Sequence, residues 1–183
     1  MGRRTFLWKR ALDLILTKST FLRFISTRRL AKKSIIYRDI KPENIGFNIH
    51  GKITLFDFGL PKELYEKDKL PDGTWKLSAK TGSLRFMAPE VFLGRPYNFS
   101  CDVFAFAVLL WSVLAMEKPY AAYSLARHEE RVIRGGHRLN INPEWPSALG
   151  DLIARGWGED ITCRPSMKTI RETLQKEMDA LED

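Results

Sequence analysis

The stretch Tyr37-Arg38-Asp39-Ile40-Lys41-Pro42-Glu43-Asn44, followed eighteen residues after Asp39 by Asp57-Phe58-Gly59, carries more information than any other part of the chain. It offers a carboxylate at Asp39 able to receive a hydroxyl proton and an ammonium at Lys41 able to neutralise a moving phosphate. Asn44 and Asp57 add a pair of hard oxygens of the kind magnesium prefers. Working outward, Ile45 and Phe47 alternate against Ile53 and Leu55 across the polar turn Asn48 to Lys52, which contains Gly51, so a short β-hairpin is predicted. The ends of a hairpin lie together, and Asn44 and Asp57 can therefore meet on one ion although they are thirteen positions apart.

Further along, Val103 to Met116 is apolar nearly all round, as in a helix at the centre of a domain. Met167, Ile170, Leu174, Met178 and Leu181 recur at intervals of three and four, predicting an amphipathic helix opened by Pro165-Ser166. Trp145, Pro146 and Trp157 mark packed turns or helix ends between the two helices. The fold class expected is mainly α with a short β-hairpin.

The 183 residues, 44% of them apolar, suffice for one domain with a substantial core. Cys101 and Cys163 lie far apart without metal-ligand spacing, which predicts a reducing intracellular compartment and two buried packing residues. The formal charge of +8 is unevenly placed: residues 1–36 hold ten Lys/Arg and one acidic residue, net +9, against twenty Lys/Arg and twenty-one Asp/Glu from Tyr37 onward, net −1. A nearly neutral globular part argues against a phosphate-backbone footprint, and no nucleic-acid partner is expected.

The basic leader, residues 1–33, mixes arginines with Phe6, Leu7, Trp8, Leu14 and Phe24. It has the character of a mitochondrial transit peptide, of a basic amphipathic helix on a membrane surface, or of a helix packed under the catalytic loop. Met1-Gly2 does not continue into a myristoylation motif, which needs Ser or Thr where this chain has Phe6. Lys18 and Arg23 interrupt its best apolar run, so no transmembrane segment is expected. The protein is expected to be cytoplasmic, with mitochondrial targeting by the leader as the alternative.

The ordered series Arg38 to Asn44, Asp57-Phe58-Gly59, Ala88-Pro89-Glu90, Asp102 and Arg164-Pro165 resembles the protein kinase family, in particular its Ser/Thr, tyrosine-kinase-like branch. The resemblance covers about residues 34–176 and implies the large, C-terminal lobe, with 34–183 as a partial kinase domain. It implies ATP and Mg2+ as cofactors, with Lys41, Asn44 and Asp57 binding them and Asn44 and Asp57 holding the metal. Asp39 resembles the catalytic base and Lys41 the lysine on the transferred phosphate; Lys41-Pro42-Glu43-Asn44 is the Ser/Thr form, so a protein Ser/Thr hydroxyl is the implied acceptor. Glu90 and Arg164 match a buried ion pair of the family. Asp102 matches an aspartate that accepts hydrogen bonds from the catalytic-loop backbone.

Residues 60–87 match an activation segment with hydroxyls at Tyr65, Thr74, Ser78, Thr81 and Ser83. Ser83, after Gly82, stands where the family has a hydroxyl bonded to the catalytic aspartate and lysine. Arg38 before Asp39 resembles kinases switched by loop phosphorylation, implying an upstream activating kinase and Thr74 or Ser78 as the modified residue. Several positions depart from the pattern. Tyr37 replaces His, Gly46 replaces a leucine-like residue under the adenine ring, Ala105 and Ala107 replace Ser and Gly, and Gly156-Trp157 replaces Cys-Trp.

The family also needs a glycine-rich phosphate loop and a lysine–glutamate pair on the nucleotide. Residues 1–36 contain one glycine, Gly2, and no glutamate, so the small lobe is expected to be absent. Three readings follow: the C-terminal lobe of an ATP-dependent Ser/Thr kinase, a catalytically impaired kinase-like binding module, and an adaptor targeted by the basic leader.

Overall fold

The computed structural model describes residues 34–182 apart from 48, 51 and 52. The leader, and the place of Gly51 in the hairpin turn, lie outside the described residues. Four short strands come first: β1 (Ser34–Ile36), β2 (Ile45–Phe47), β3 (Ile53–Leu55) and β4 (Lys62–Leu64). Five α-helical segments follow: α1 (Pro89–Phe92), α2 (Ser100–Ala115), α3 (Leu125–His128), α4 (Ser147–Gly156) and α5 (Met167–Glu182), with a π-helical turn at Glu129–Arg134 continuing α3. The expected mainly helical class with a small hairpin describes this chain.

The hairpin pairs β2 and β3 antiparallel with Ile45 opposite Leu55, the register that puts Asn44 and Phe56 side by side. Phe56 N donates to Asn44 O at 2.8 Å, which fixes where the following Asp57 emerges. A second small sheet pairs β1 with β4, Ile35 opposite Glu63. Lys62-Glu63-Leu64 shows no alternation to announce a strand, and its pairing depends on a long-range partner.

At the core, α2 begins at Ser100, three residues before its apolar run, directly after an Asx turn in which Asn98 Oδ1 accepts the Ser100 N–H at 2.9 Å. It ends before Met116, which turns left-handed at φ 54° and is 52% exposed. The helix packs against α4, and α4 against α5. Two departures from the family pattern explain each other at the first crossing. A Cβ at Gly156 would stand 2.7 Å from Ala107 Cβ, so the missing methyl on α4 makes room for the added methyl on α2.

On α5, Ile170, Leu174 and Met178 are buried as their spacing predicts, and Ser166 Oγ accepts the Thr169 N–H at 3.0 Å as the cap. Trp145 and Trp157 are buried. Of the cysteines, Cys101 is buried but Cys163 is exposed. The correction has a local cause: Cys163 sits in a surface turn organised by Asp160, whose carboxylate accepts Thr162 N, Thr162 Oγ1 and the Cys163 thiol. No described helix is long and apolar enough to cross a membrane.

Candidate active site

The loop between β1 and β2 carries the first group of site residues, and Asp102 at the start of α2 fixes it. Its buried carboxylate accepts Tyr37 N on Oδ2 and Arg38 N on Oδ1, both at 2.8 Å. Burial pushes the Asp102 carboxyl up to about 6, against the pull of the two amides and Arg38. Arg38 itself is left-handed at φ 70°, a conformation that costs a non-glycine residue about 1–3 kcal/mol and persists where the surroundings over-determine it.

That turn aims Asp39 inward. Its Oδ1 accepts Ser83 N at 2.8 Å; its Oδ2 accepts Asn44 Nδ2 and faces Lys41 Nζ, each at 2.9 Å. Lys41 Nζ also donates to Ser83 Oγ at 2.8 Å. Burial alone would raise the Asp39 carboxyl, but the hydrogen bonds from Lys41, Ser83 and Asn44 outweigh it and hold the group below the usual carboxylate range, ionised at neutral pH. Asn44 spends its amide nitrogen on Asp39 O and Oδ2, both at 2.9 Å, so its amide oxygen is the atom to offer a cation.

Gly82 makes this meeting possible. Its φ is 98°, and a Cβ there would stand 2.2 Å from Arg38 O and 3.4 Å from Asp39 Oδ1. The activation segment therefore touches the catalytic loop backbone to backbone, which no other residue allows.

On the other side, the Tyr37 hydroxyl donates to the carbonyls of Phe56 and Asp57, the latter at 3.0 Å, tying the two motifs together. Burial, reinforced by Asp39, Asp57 and Asp102, pushes the phenol up to about 12, which keeps it a donor. Phe58 meets the Tyr37 ring edge-on at 6.0 Å. Asp57 is exposed and left-handed at φ 56°, and its Oδ1 accepts Gly59 N at 3.0 Å. Asn44 and Asp57 each carry an oxygen of the hard kind, chemistry that fits a magnesium ion sharing its ligands with phosphate oxygens.

Gly46 proves to be covered. A Cβ there would lie 2.5 Å from Phe56 Cε2, so the Phe56 ring, 47% exposed, occupies the space a larger residue would take. Glu90 and Arg164 form a bidentate pair, Nη1 to Oε1 at 2.6 Å and Nη2 to Oε2 at 3.0 Å; Arg164 also donates to Gly158 O and Ser100 O. The activation-segment hydroxyls differ sharply. Thr74 is buried and donates to Asp72 Oδ1 at 2.6 Å, whereas Ser78 is exposed, accepts Arg38 Nη1 at 2.9 Å and lies 3.0 Å from Thr81 Oγ1. A cavity of about 730 Å³ opens beside Lys41 and Ser83, walled by Leu84, Phe86, Met116 and Pro119. Sequence reasoning passed over Trp75 and Tyr97; a lone tryptophan within a polar loop was the available signal.

A mainly helical domain with these motifs in this order is the larger part of a protein-kinase fold. Residues 26–174 match the family model described as protein tyrosine and serine/threonine kinase. The chain belongs to that family. It is similar to the serine/threonine-protein kinase STY17 of Arabidopsis thaliana, 32% identical over 147 residues that cover 80% of this chain and 25% of that protein. It is also similar to the dual specificity protein kinase shkB of Dictyostelium discoideum, 36% identical over 77% of this chain and 21% of that protein. With the serine/threonine-protein kinase VIK of Arabidopsis thaliana it shares 36% identity over 78% of this chain and 32% of that protein. The chain thus spans about a fifth to a third of the length of these relatives.

Proposed function

We propose that this chain carries the phosphotransfer and substrate-binding part of an ATP-dependent protein kinase acting on Ser or Thr hydroxyls of proteins. The observation that carries the reading is the junction on Asp39, whose carboxylate takes Lys41 Nζ and Asn44 Nδ2 at 2.9 Å and Ser83 N at 2.8 Å while Lys41 Nζ also bonds Ser83 Oγ at 2.8 Å, so that two distant segments close on one point. ATP with Mg2+ supplies the phosphoryl group and the charge that neutralises its oxygens. The chain's own residues do the rest. Asp39, held ionised, orients the acceptor hydroxyl and takes its proton. Lys41 supplies a positive charge beside that point, anchored by Asp39 and Ser83 so that it loses no orientation during transfer. Asn44 and Asp57 would hold the metal, and the exposed face of Phe56 over Gly46 would meet the base. The acceptor peptide enters along the cavity beside Lys41, whose apolar wall lies next to the reacting groups.

The test is phosphotransfer from ATP to a Ser/Thr peptide library by the full-length protein, with Asp57→Ala alongside. Transfer that falls at least about 100-fold in the variant supports the reading. Equal transfer in both removes Asp57 from the metal site. Similarity to a relative named for dual specificity makes tyrosine acceptors part of the same library.

A further inference from the structure

The connection between Gly59 and Pro89 is far longer than the usual loop, and a segment of that length without its own contacts would be expected to move freely. Its backbone is instead closely matched. Gly73 N donates to Leu70 O at 3.0 Å and Leu70 N to Thr74 O at 2.8 Å, closing a turn over Pro71-Asp72-Gly73 in which Gly73 is left-handed at φ 81°. Asp72 Oδ1 accepts both Thr74 N and Thr74 Oγ1.

Trp75 joins this turn to the body of the domain. It is 5% exposed, and its backbone exchanges hydrogen bonds with Tyr97 at 2.9 and 3.1 Å. The indole Nε1 reaches back to Tyr65 O at 2.9 Å, Phe99 meets the ring edge-on at 6.0 Å, and Lys69 Nζ stands over it at 5.5 Å. From there the chain of contacts runs to the site: Tyr97 OH donates to Ser78 O at 3.0 Å, Ser78 Oγ accepts Arg38 Nη1, and Ser83 N binds Asp39 Oδ1.

Arg38 is the residue whose charge a loop phosphate would satisfy. Here its Nε and Nη2 donate to Leu60 O and its Nη1 to the neutral Ser78 hydroxyl. Thr74, one of the two hydroxyls named for modification, has its oxygen engaged with Asp72 and is closed to an enzyme in this conformation.

We propose that Trp75 is a positioning residue that holds residues 62–83 in their substrate-ready form without phosphorylation. Contacts within the chain do what a loop phosphate paired with Arg38 would otherwise do, and a phosphate on Ser78 adds to a segment already in place. The word substrate-ready rests on the kinase reading; the ordering of the segment does not.

The experiment is hydrogen exchange and phosphotransfer on the full-length protein made in bacteria together with a phosphatase, with its mass confirming that no phosphate is present. In wild type, the amides of Gly73, Trp75 and Tyr97 are expected to exchange at least 100-fold slower than in free peptide, and transfer is expected within about threefold of the Ser78-phosphorylated form. Trp75→Ala is expected to lose protection across residues 65–78 while α2 keeps its own, with KM for peptide rising more than kcat falls. Trp75→Phe, which keeps the buried ring and loses the bond to Tyr65, is expected to recover most of the protection; it and the wild type decide the matter if Trp75→Ala does not fold. Exchange of residues 65–78 at the free-peptide rate in unmodified wild type overturns the proposal. So does protected wild type that transfers only after Ser78 is phosphorylated. Protected protein that transfers in neither form upholds the ordering and overturns the kinase reading instead.

Discussion

Gly82 lies against the carbonyl of Arg38 so closely that a single added carbon would stand 2.2 Å from that oxygen. Gly82→Ala must therefore push the activation segment off the catalytic loop and separate Ser83 from Asp39. A displacement of about 1 Å at reacting groups can cost on the order of 100-fold in rate, so kcat/KM is expected to fall by at least that much. The left-handed φ adds about 1–3 kcal/mol of lost stability. Steady-state kinetics and urea unfolding read the two effects separately; wild-type kinetics in Gly82→Ala would contradict the contact.

Ala107 and Gly156 form a matched pair across α2 and α4. Gly156→Ala alone is expected to destabilise the domain by about 1–3 kcal/mol through overpacking. Combined with Ala107→Gly it should lose much less, giving a coupling energy of about 0.5–3 kcal/mol in a double-mutant cycle. Strict additivity would show that the two methyl positions do not meet.

The Glu90–Arg164 pair is buried, with the Arg164 side chain at 0% exposure and that of Glu90 at 7%. Arg164→Ala strands a buried carboxylate and is expected to cost about 3–5 kcal/mol in chemical unfolding, whereas replacing both residues by apolar ones of similar volume should cost less. A single-variant loss below 1 kcal/mol would contradict this assignment.

Acid stability turns on two buried groups of opposite sign. Burial, then Arg85, pushes the His128 imidazole down from its ordinary 6.5 to about 4. Between those values the unfolded chain binds the proton and the folded chain does not, so stability falls as pH drops from about 6.5 to about 4. Asp102, raised from 3.8 to about 6, binds its proton first in the folded state and contributes the reverse slope. His128→Phe should therefore lose less stability than wild type on acidification from pH 7 to pH 5, as read by melting temperature. An identical loss in both proteins would clear His128 of the effect.

Much of this architecture is legible in the sequence because it depends on local pattern. The apolar run of α2, the three-and-four spacing of α5 and the hairpin alternation around Asn44 each report a face that must be buried. What escaped is long-range. Lys62 to Leu64 becomes a strand only because Ser34 to Ile36 lies opposite it. Gly46 lacks the larger side chain the family pattern has there, and Phe56, ten positions away, fills that space. The Ala107 and Gly156 departures looked unrelated because nothing in a linear reading places them in contact. At the site, residue types and order pointed to Asp39, Lys41, Asn44 and Asp57, and the resemblance pointed to Ser83; the backbone contact that lets Ser83 close onto Asp39 depends on the φ of Gly82, and Thr74 and Ser78 are told apart only by burial and by their partners Asp72 and Arg38.

The central claim is that Asp39 receives the acceptor proton. The most direct measurement is single-turnover phosphotransfer to a Ser/Thr peptide by full-length wild type and Asp39→Asn, an isosteric change that removes the proton acceptor with little change in volume. The account predicts a fall in the transfer step of about 100- to 10,000-fold with nucleotide affinity unchanged. Transfer at the wild-type rate by Asp39→Asn would contradict it.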